Sequence, residues 1–171
     1  MRSRIVAGAV AGVAAGVVFG VMMQMMSAPT PDGGRMPMMA MVAMVVRSQR
    51  LAAGWLYHLF NSAVISALFG VLLGGRVRGY GSGLGWGALW GVVWWVLGAL
   101  ILMPVFLGMP PLAPLRMPPM RPVAAGSLVG HLIYGLILGA GFVRLRRASG
   151  VPTSAAWPGT SARRREAPRA S

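Results

Sequence analysis

The sequence predicts an all-α integral membrane protein with four transmembrane helices. Hydrophobic residues make up 56% of the 171 residues, only two residues are acidic, and four long runs carry no charge. A bilayer core about 30 Å thick requires roughly 20 apolar residues in a helix that rises about 1.5 Å per residue. Each run meets that requirement, and soluble domains do not have this composition.

The four runs define the predicted helices in chain order. They cover residues 5–26, 52–74, 81–107 and 123–143. A further apolar segment at 36–46 is too short to span, so we expect it to be interfacial or re-entrant. An alternative for the first run is a signal peptide, but signal cores are about 7 to 15 residues long and this run is longer.

Arginine positions predict the orientation of the chain in the membrane. Three clusters fall on one side of a four-span chain, namely Arg2 and Arg4, then Arg76 and Arg78, then Arg144, Arg146 and Arg147. Because positive residues favour the cytoplasmic side, we expect both termini in the cytoplasm and the protein in the plasma or inner membrane. Five arginines are predicted on the opposite, outer side and weaken this bias, namely Arg35, Arg47, Arg50, Arg116 and Arg121.

The two halves of the chain match each other. At an offset of 73 residues, His58, Leu59, Ala67 and Phe69 align with His131, Leu132, Ala140 and Phe142. At an offset of 75, Gly8, Gly12 and Gly16 align with Gly83, Gly87 and Gly91. These matches predict a tandem duplication of a helix-loop-helix unit, with repeat 1 at 4–77 and repeat 2 at 79–147 in one transmembrane domain, 1–147. Two spans per unit make the repeats parallel.

Small residues spaced by four form a stripe on each predicted helix. The stripes comprise Gly8, Gly12, Gly16 and Gly20; Ser62 and Ser66; Gly83, Gly87 and Gly91; and Gly135 and Gly139. Such GxxxG-like stripes allow helix backbones to approach closely in lipid. We expect the first and third helices to cross each other at the axis between the repeats, and stripes left uncovered to support homo-oligomers.

The only histidines, His58 and His131, each stand at the head of a stripe. Two imidazoles at similar depth suit a bis-histidine haem or a metal site, and polar residues inside a membrane are often functional. A tight glycine crossing would instead hold the two rings on opposite flanks. The alternative favoured by that argument is a pair of packing residues that hydrogen-bond to neighbouring helices, with no cofactor.

Methionines concentrate in and around the first outer loop. Thioethers are soft ligands for Cu(I), which makes Met36, Met38, Met39, Met41 and Met44 candidate metal ligands. Methionine is also an adaptable apolar filler, so packing is the alternative interpretation.

Several functions are disfavoured by composition. Asp32 and Glu166 both lie outside the runs and cysteine is absent, so we expect no enzyme, no intramembrane proton relay and no catalytic triad. The tail, 148–171, is rich in Ala, Ser, Pro and Arg, which predicts a disordered cytoplasmic segment attracted to anionic lipid. Nucleic acid is not an expected partner, because the membrane accounts for the arginines.

Three stretches carry a resemblance to a known family: "AGWLYHLFNSAVISALFG", "WGVVWWVLGALILMPVFLGMP" and "SLVGHLIYGLILG". They resemble an uncharacterised family of small bacterial and archaeal membrane proteins defined by a domain of unknown function. The resemblance covers roughly residues 4 to 145 and implies a four-helix membrane protein. It implies no activity, substrate or catalytic residue.

Two classes of function follow from these patterns. The first is a non-enzymatic structural or interaction component of the cell membrane, which predicts a closely packed interior. The second is a conduit for a small solute or copper, or a haem-binding protein, which uses His58 and His131. The second class predicts a cavity that reaches at least one histidine.

Overall fold

A computed structural model describes residues 2–30 and 32–149. Four of its helices are long and apolar enough to cross a membrane: Arg2–Met25, Leu51–Leu72, Tyr80–Phe106 and Pro118–Ala148. The all-α class and the four candidate spans are therefore confirmed. The predicted disordered tail lies outside the described residues from position 150 onward.

The helices are α1 (Arg2–Met25), α2 (Met38–Val45), α3 (Leu51–Leu72), α4 (Tyr80–Trp94), α5 (Met103–Phe106), α6 (Ala113–Arg116) and α7 (Arg121–Ala148). A π-helical segment, Trp95–Leu102, joins α4 to α5 within the third span, and a 3-10 turn, Pro118–Met120, precedes α7. Two short antiparallel strands, β1 (Ser27–Pro29) and β2 (Arg35–Pro37), form a hairpin after α1.

Most of the apolar segment at 36–46 is the short helix α2, which packs on α3. The contact requires Gly54, because a β-carbon there would press on the carbonyl of Met39 and lie 3.1 Å from the amide nitrogen of Ala43. Met39 and Ala43 are fully buried in this interface. The helix therefore covers one end of the bundle beside the strands, which we call the hairpin end.

The opposite end of the bundle collects the three arginine clusters, and we call it the basic end. Arg146 donates a hydrogen bond to the Gly74 carbonyl, Arg147 stacks over the Tyr80 ring at 4.8 Å, and Arg4 lies against Gly75. Helices that alternate in direction bring these distant sequence positions together.

The C-terminus of α2 carries a strained residue. Arg47 has φ of 55°, while its amide bonds to the Met44 carbonyl and the Ser48 amide bonds to the Ala43 carbonyl. This is the Schellman pattern, in which glycine is preferred at the left-handed position.

Replacing Arg47 with glycine is therefore expected to stabilise the protein by about 1 kcal/mol, because the left-handed conformation costs a residue with a β-carbon about that much. Thermal unfolding in detergent would detect the gain as a higher Tm. Arg47→Ala is the matched control, because it removes the same charge but keeps the β-carbon at the left-handed position, and it should gain nothing. An equal shift in both variants would attribute the effect to lost charge.

Pro104 explains why the third span does not end as a regular α-helix. Proline has no amide hydrogen, so the carbonyl of Leu100 cannot receive the usual bond from position 104. The Leu112 amide replaces it at 2.7 Å after the chain turns back through a left-handed residue, Leu112 itself, with φ of 64°. The widened π-helical turns and this returning loop border the site described below.

The helices pack in the order α3, α1, α7, α4, with each neighbouring pair in extensive contact. Our expectation that the first and third helices cross was wrong. The α1 stripe packs on the serines of α3: Gly8 on the Ser66 backbone, and Gly12 and Gly16 on Ser62. The α4 stripe packs on α7 instead, with Gly83, Gly87 and Gly91 on the backbones of Gly139, Gly135 and His131. Each glycine stripe meets the small-residue stripe of the next span, where two backbones can approach at once.

The fourth side of the bundle, between α3 and α4, is kept open by tryptophan. On α1 the small buried Ala11 and Ala15 help to form the face beside α7, where Ala11 lies 3.1 Å from the position of a β-carbon on Gly141. The matching α4 positions hold Trp86 and Trp90. Their indoles separate α3 from α4, with Trp90 edge-on to Phe69 at 6.1 Å and Trp86 under Arg76 at 5.9 Å.

Candidate functional site

A cavity of about 390 Å³ occupies the open side of the bundle toward the hairpin end. Its walls come from α3 and the third span, its inner face from α1 and α7, and α2 contributes toward the hairpin end. Trp94 is among the lining residues, and it occupies the position in repeat 2 that Phe19 holds in repeat 1. On the same side of the bundle, Trp90 packs on Phe69 of α3, so a tryptophan side chain and not close backbone packing joins α4 to α3 beside this cavity.

The cavity opens sideways, between two helices. Its lining includes exposed apolar side chains on both of them, Val64 and Leu68 on α3 and Leu102 and Phe106 in the third span. Phe106 is 62% exposed. The lining residues from α2, by contrast, include the buried Met38, Met41 and Val42. The mouth therefore lies along the side of the bundle, where acyl chains would surround a membrane-inserted protein.

Both histidines line this cavity, and one aromatic ring contacts both of them. The Phe19 ring lies edge-on to His58 with centroids 5.7 Å apart and to His131 with centroids 4.7 Å apart. The glycine crossing that would have held the rings on opposite flanks does not occur, because the glycines of α1 and α4 face α3 and α7 rather than each other. Phe19, which is 5% exposed, reaches both rings from α1.

His58 is bound to its neighbouring helix. Its Nε2 donates a hydrogen bond to the Gly16 carbonyl at 2.8 Å, and the Ser62 hydroxyl donates to the His58 carbonyl at 2.8 Å. Trp55 packs edge-on to the same ring at 6.4 Å. This contact requires glycine at position 16, because a β-carbon there would collide with the Ser62 side chain. His58 thus fastens α3 to α1.

His131 makes a different bond. Its Nδ1 donates to the carbonyl of Ser127, one turn earlier in α7, at 2.8 Å. A neutral imidazole that donates through Nδ1 keeps Nε2 as an acceptor, and no group within residues 2–30 or 32–149 donates to that nitrogen. Metal-binding and ligand-binding histidines are commonly oriented by such a backbone bond. The two histidines occupy matching sequence positions but have unlike surroundings.

Tyr134 ties α7 to α3 beneath the histidines. Its hydroxyl donates to the Ser62 carbonyl at 3.1 Å and accepts from the Ser66 hydroxyl at 2.6 Å. All three residues are buried, so this network satisfies polar groups that would otherwise cost stability in an apolar interior. The two serines of the stripe thus bind a side chain as well as allowing close approach.

One haem or one metal ion held by both imidazoles needs the two ligating nitrogens about 2 Å from one atom. The Phe19 ring packs edge-on against both imidazoles, and one nitrogen of each is bound to a backbone carbonyl. In the part of the chain that the structure describes, no group of three or more His, Asp or Glu side chains could hold a metal ion. Each imidazole donates through one nitrogen and keeps the other, Nδ1 of His58 or Nε2 of His131, as a single acceptor.

The structure separates the five methionine candidates. Met38 and Met41 line the cavity, Met39 is fully buried against α3, Met36 is half-buried in β2 and Met44 is exposed. Four other methionines line the cavity with the first two, namely Met23, Met103, Met109 and Met120.

Sequence reasoning missed four residues that shape the site: Phe19, Asn61, Ser127 and Tyr134. Asn61, Ser127 and Tyr134 carry polar groups within predicted spans, which is itself a signal of function. Phe19 had no signal, because an aromatic residue in an apolar run is common. Its role depends on which helices meet.

Comparison with protein families, with curated proteins and with solved structures finds no match to this chain. The resemblance to a small membrane-protein family therefore stays a prediction.

Proposed function

We propose that this chain is a membrane protein that binds a small, neutral, mainly apolar molecule in the cavity between α3 and the third span. The observation that carries the proposal is a cavity of about 390 Å³ that reaches both histidines and opens on the side of the bundle. Ligand sites are typically concave and apolar with a few polar groups that fix orientation. A lateral mouth would admit the ligand from the bilayer.

The chemistry of the lining defines the ligand. Its polar lining groups are imidazoles, hydroxyls, the amide of Asn61 and the indole of Trp94, and among the described residues no Arg, Asp or Glu contributes to it. A charged ligand would therefore lose its hydration without compensation. A molecule with one hydroxyl or amine fits better, because that group could donate to Nε2 of His131 while the apolar remainder contacts Leu68, Leu102 and the methionines.

Membrane insertion and topology belong to the same proposal. We place the basic end in the cytoplasm, following the positive-inside rule, so the cavity lies toward the outer side. We also propose a tandem duplication. Its support is that Gly8, Gly12 and Gly16 contact α3 at positions that match, at the offset of 73, those at which Gly83, Gly87 and Gly91 contact α7.

A purely structural or interaction role is supported less well, because it predicts a filled interior. Self-association and attraction of the tail to anionic lipid are compatible with ligand binding. We propose no catalytic step, because no acid, base and nucleophile converge among the lining residues.

Photolabelling with a diazirine-bearing octanol tests the proposal on the full chain in lipid nanodiscs. We expect labelling on peptides from α3 and the third span, and competition by unlabelled octanol. Gly98→Phe should reduce the labelling at least tenfold, because Gly98 lines the cavity and a β-carbon there meets nothing closer than Cε3 of Trp94 at 3.9 Å. A phenyl ring would occupy the ligand's space without displacing backbone.

Gly85→Phe is the matched control, because Gly85 is exposed on the same span and a β-carbon there has nothing within 4 Å. Its labelling should equal that of the wild type. The proposal is wrong if Gly98→Phe folds and labels as well as Gly85→Phe. Uniform labelling along all four spans would likewise indicate contact with bulk lipid only.

Copper is a second candidate ligand for the same cavity, because six methionines and two imidazoles line it. Thioether and imidazole ligands suit Cu(I). Copper analysis of the purified protein separates the two candidates. Retention of about one copper per chain, lost in Met38→Leu with Met103→Leu, would favour the metal over the apolar molecule.

A further inference from the structure

Among residues 2–30 and 32–149, a buried arginine at the basic end has no acidic partner. Arg146 is 4% exposed; its Nη1 donates to the Gly74 carbonyl at 2.9 Å, and its Nε is buried without a hydrogen-bond partner. Its guanidinium lies over the Phe142 ring with Cζ 5.7 Å from the centroid. One carbonyl and one aromatic face leave much of the charge uncompensated, and buried charges are normally paired.

A second arginine approaches the same place. Nη1 of Arg4 lies 3.3 Å from the position that a β-carbon on Gly75 would occupy, next to the glycine that binds Arg146. The Arg4 carbonyl also contacts Gly70. Two guanidinium groups from α1 and α7 thus converge on the glycines that follow α3.

Within the described ranges, no carboxylate neutralises these two positive charges. Asp32 is the only acidic residue there, and it follows β1 at the hairpin end. Two convergent cations without an acid repel each other and favour an anion from outside the chain. Guanidinium groups bind phosphate oxygens through paired N–H donors, more strongly than through neutral hydrogen bonds.

We propose that a phosphate group, that of an anionic phospholipid headgroup, binds between Arg4 and Arg146 at the basic end. Basic pockets between helices at the cytoplasmic surface are suited to such headgroups. The site is separate from the cavity and from the tail, and it does not depend on the function proposed above. Gly74 and Gly75 have no side chains that could block a phosphate group from the two arginines. A side chain at position 74 would also collide with Phe142.

Native mass spectrometry of the full chain, titrated in detergent with phosphatidylglycerol, tests the proposal. Arg146→Gln and Arg4→Gln should each weaken retention of the lipid about tenfold or more, the loss expected for a charge-assisted hydrogen bond of roughly 1.5–3 kcal/mol. Arg144→Gln is the matched control, because it removes the same charge from an exposed position on α7. It should change retention less than twofold.

Two further measurements, with phosphatidylcholine and with inorganic phosphate, identify the source of the phosphate group. Phosphatidylcholine, whose phosphate is paired with its own cation, should be retained less than phosphatidylglycerol. If inorganic phosphate displaces the lipid at equal concentration, the arginine site is supported but its ligand is a soluble anion. Should Arg146→Gln not fold, Arg146→Lys serves, because lysine keeps the charge but lacks the paired donors.

Equal losses in Arg144→Gln and Arg146→Gln would overturn the proposal, because retention would then follow net charge alone. Unchanged retention in a folded Arg4→Gln protein would also overturn it. Circular dichroism of each variant confirms the helical fold before the comparison.

Discussion

Gly87→Ala should destabilise the bundle strongly. Gly87 faces the backbone of α7, and an added β-carbon would collide with the Gly135 carbonyl. Backbone cannot rotate away as a side chain can, so α4 and α7 would have to separate along their whole contact. Overpacking of this kind costs about 1–3 kcal/mol and occasionally more, and we expect the upper part of that range. SDS titration followed by far-UV circular dichroism would measure it.

Gly85→Ala is the control, two residues away on the same helix. The added methyl group meets nothing within 4 Å, and alanine is favoured over glycine in a helix by roughly 0.5–1 kcal/mol. This variant should therefore be slightly more stable than the wild type. If Gly87→Ala were equally stable, the close contact between α4 and α7 would not exist in the protein.

Phe19→Ala should cost about 3 kcal/mol or more of stability, because the side chain is nearly fully buried and truncation of a buried Phe leaves a cavity. The ring contacts His58, His131 and Tyr134, and it fills the space beside Gly130. Its removal enlarges the deep end of the cavity without closing the mouth. Photolabelling should therefore persist in this variant while the midpoint of SDS unfolding falls.

Phe60→Ala is the matched control for Phe19→Ala, since Phe60 is 64% exposed on α3. In a membrane its ring would contact lipid, so truncation should change stability by less than about 0.5 kcal/mol, as for other surface substitutions. A similar loss in both variants would mean that Phe19 is not buried against the histidines. Loss of labelling in Phe19→Ala alone would show that the ring itself contacts the ligand.

The two histidines show what sequence comparison could predict about the site and what it could not. Their position at the head of small-residue stripes is evident from spacing, and so is their occurrence as a matched pair. Their bonding is not, because His58 donates to another helix and His131 to its own. The hydrogen-bond partner of an imidazole depends on which backbone carbonyl lies within 3 Å, and that follows from helix packing.

The tryptophans of the third span illustrate the same limit. Their excess over the matching α1 positions was visible as a difference in bulk between the halves. Its consequence, a cavity beside α3, required knowledge that α1 packs closely on α7, whereas α4 meets α3 through the Trp90 ring on Phe69. A bulky residue fills space when its helix is closely packed and props helices apart when it is not, and the sequence alone does not distinguish these outcomes.

By itself the sequence determined the four apolar helices, their lengths, the small-residue faces and the arginine clusters, because these depend on hydrophobicity and spacing along one chain. Only the tertiary structure decided which stripes meet, that Phe19 contacts both histidines, that a cavity reaches them and that Arg4 converges on Arg146. Those features depend on contacts between distant segments. The physical reason is that glycine stripes on α1 and α4 are alike, so their partners are selected by the serines and glycines of α3 and α7 together with the bulk of the tryptophans.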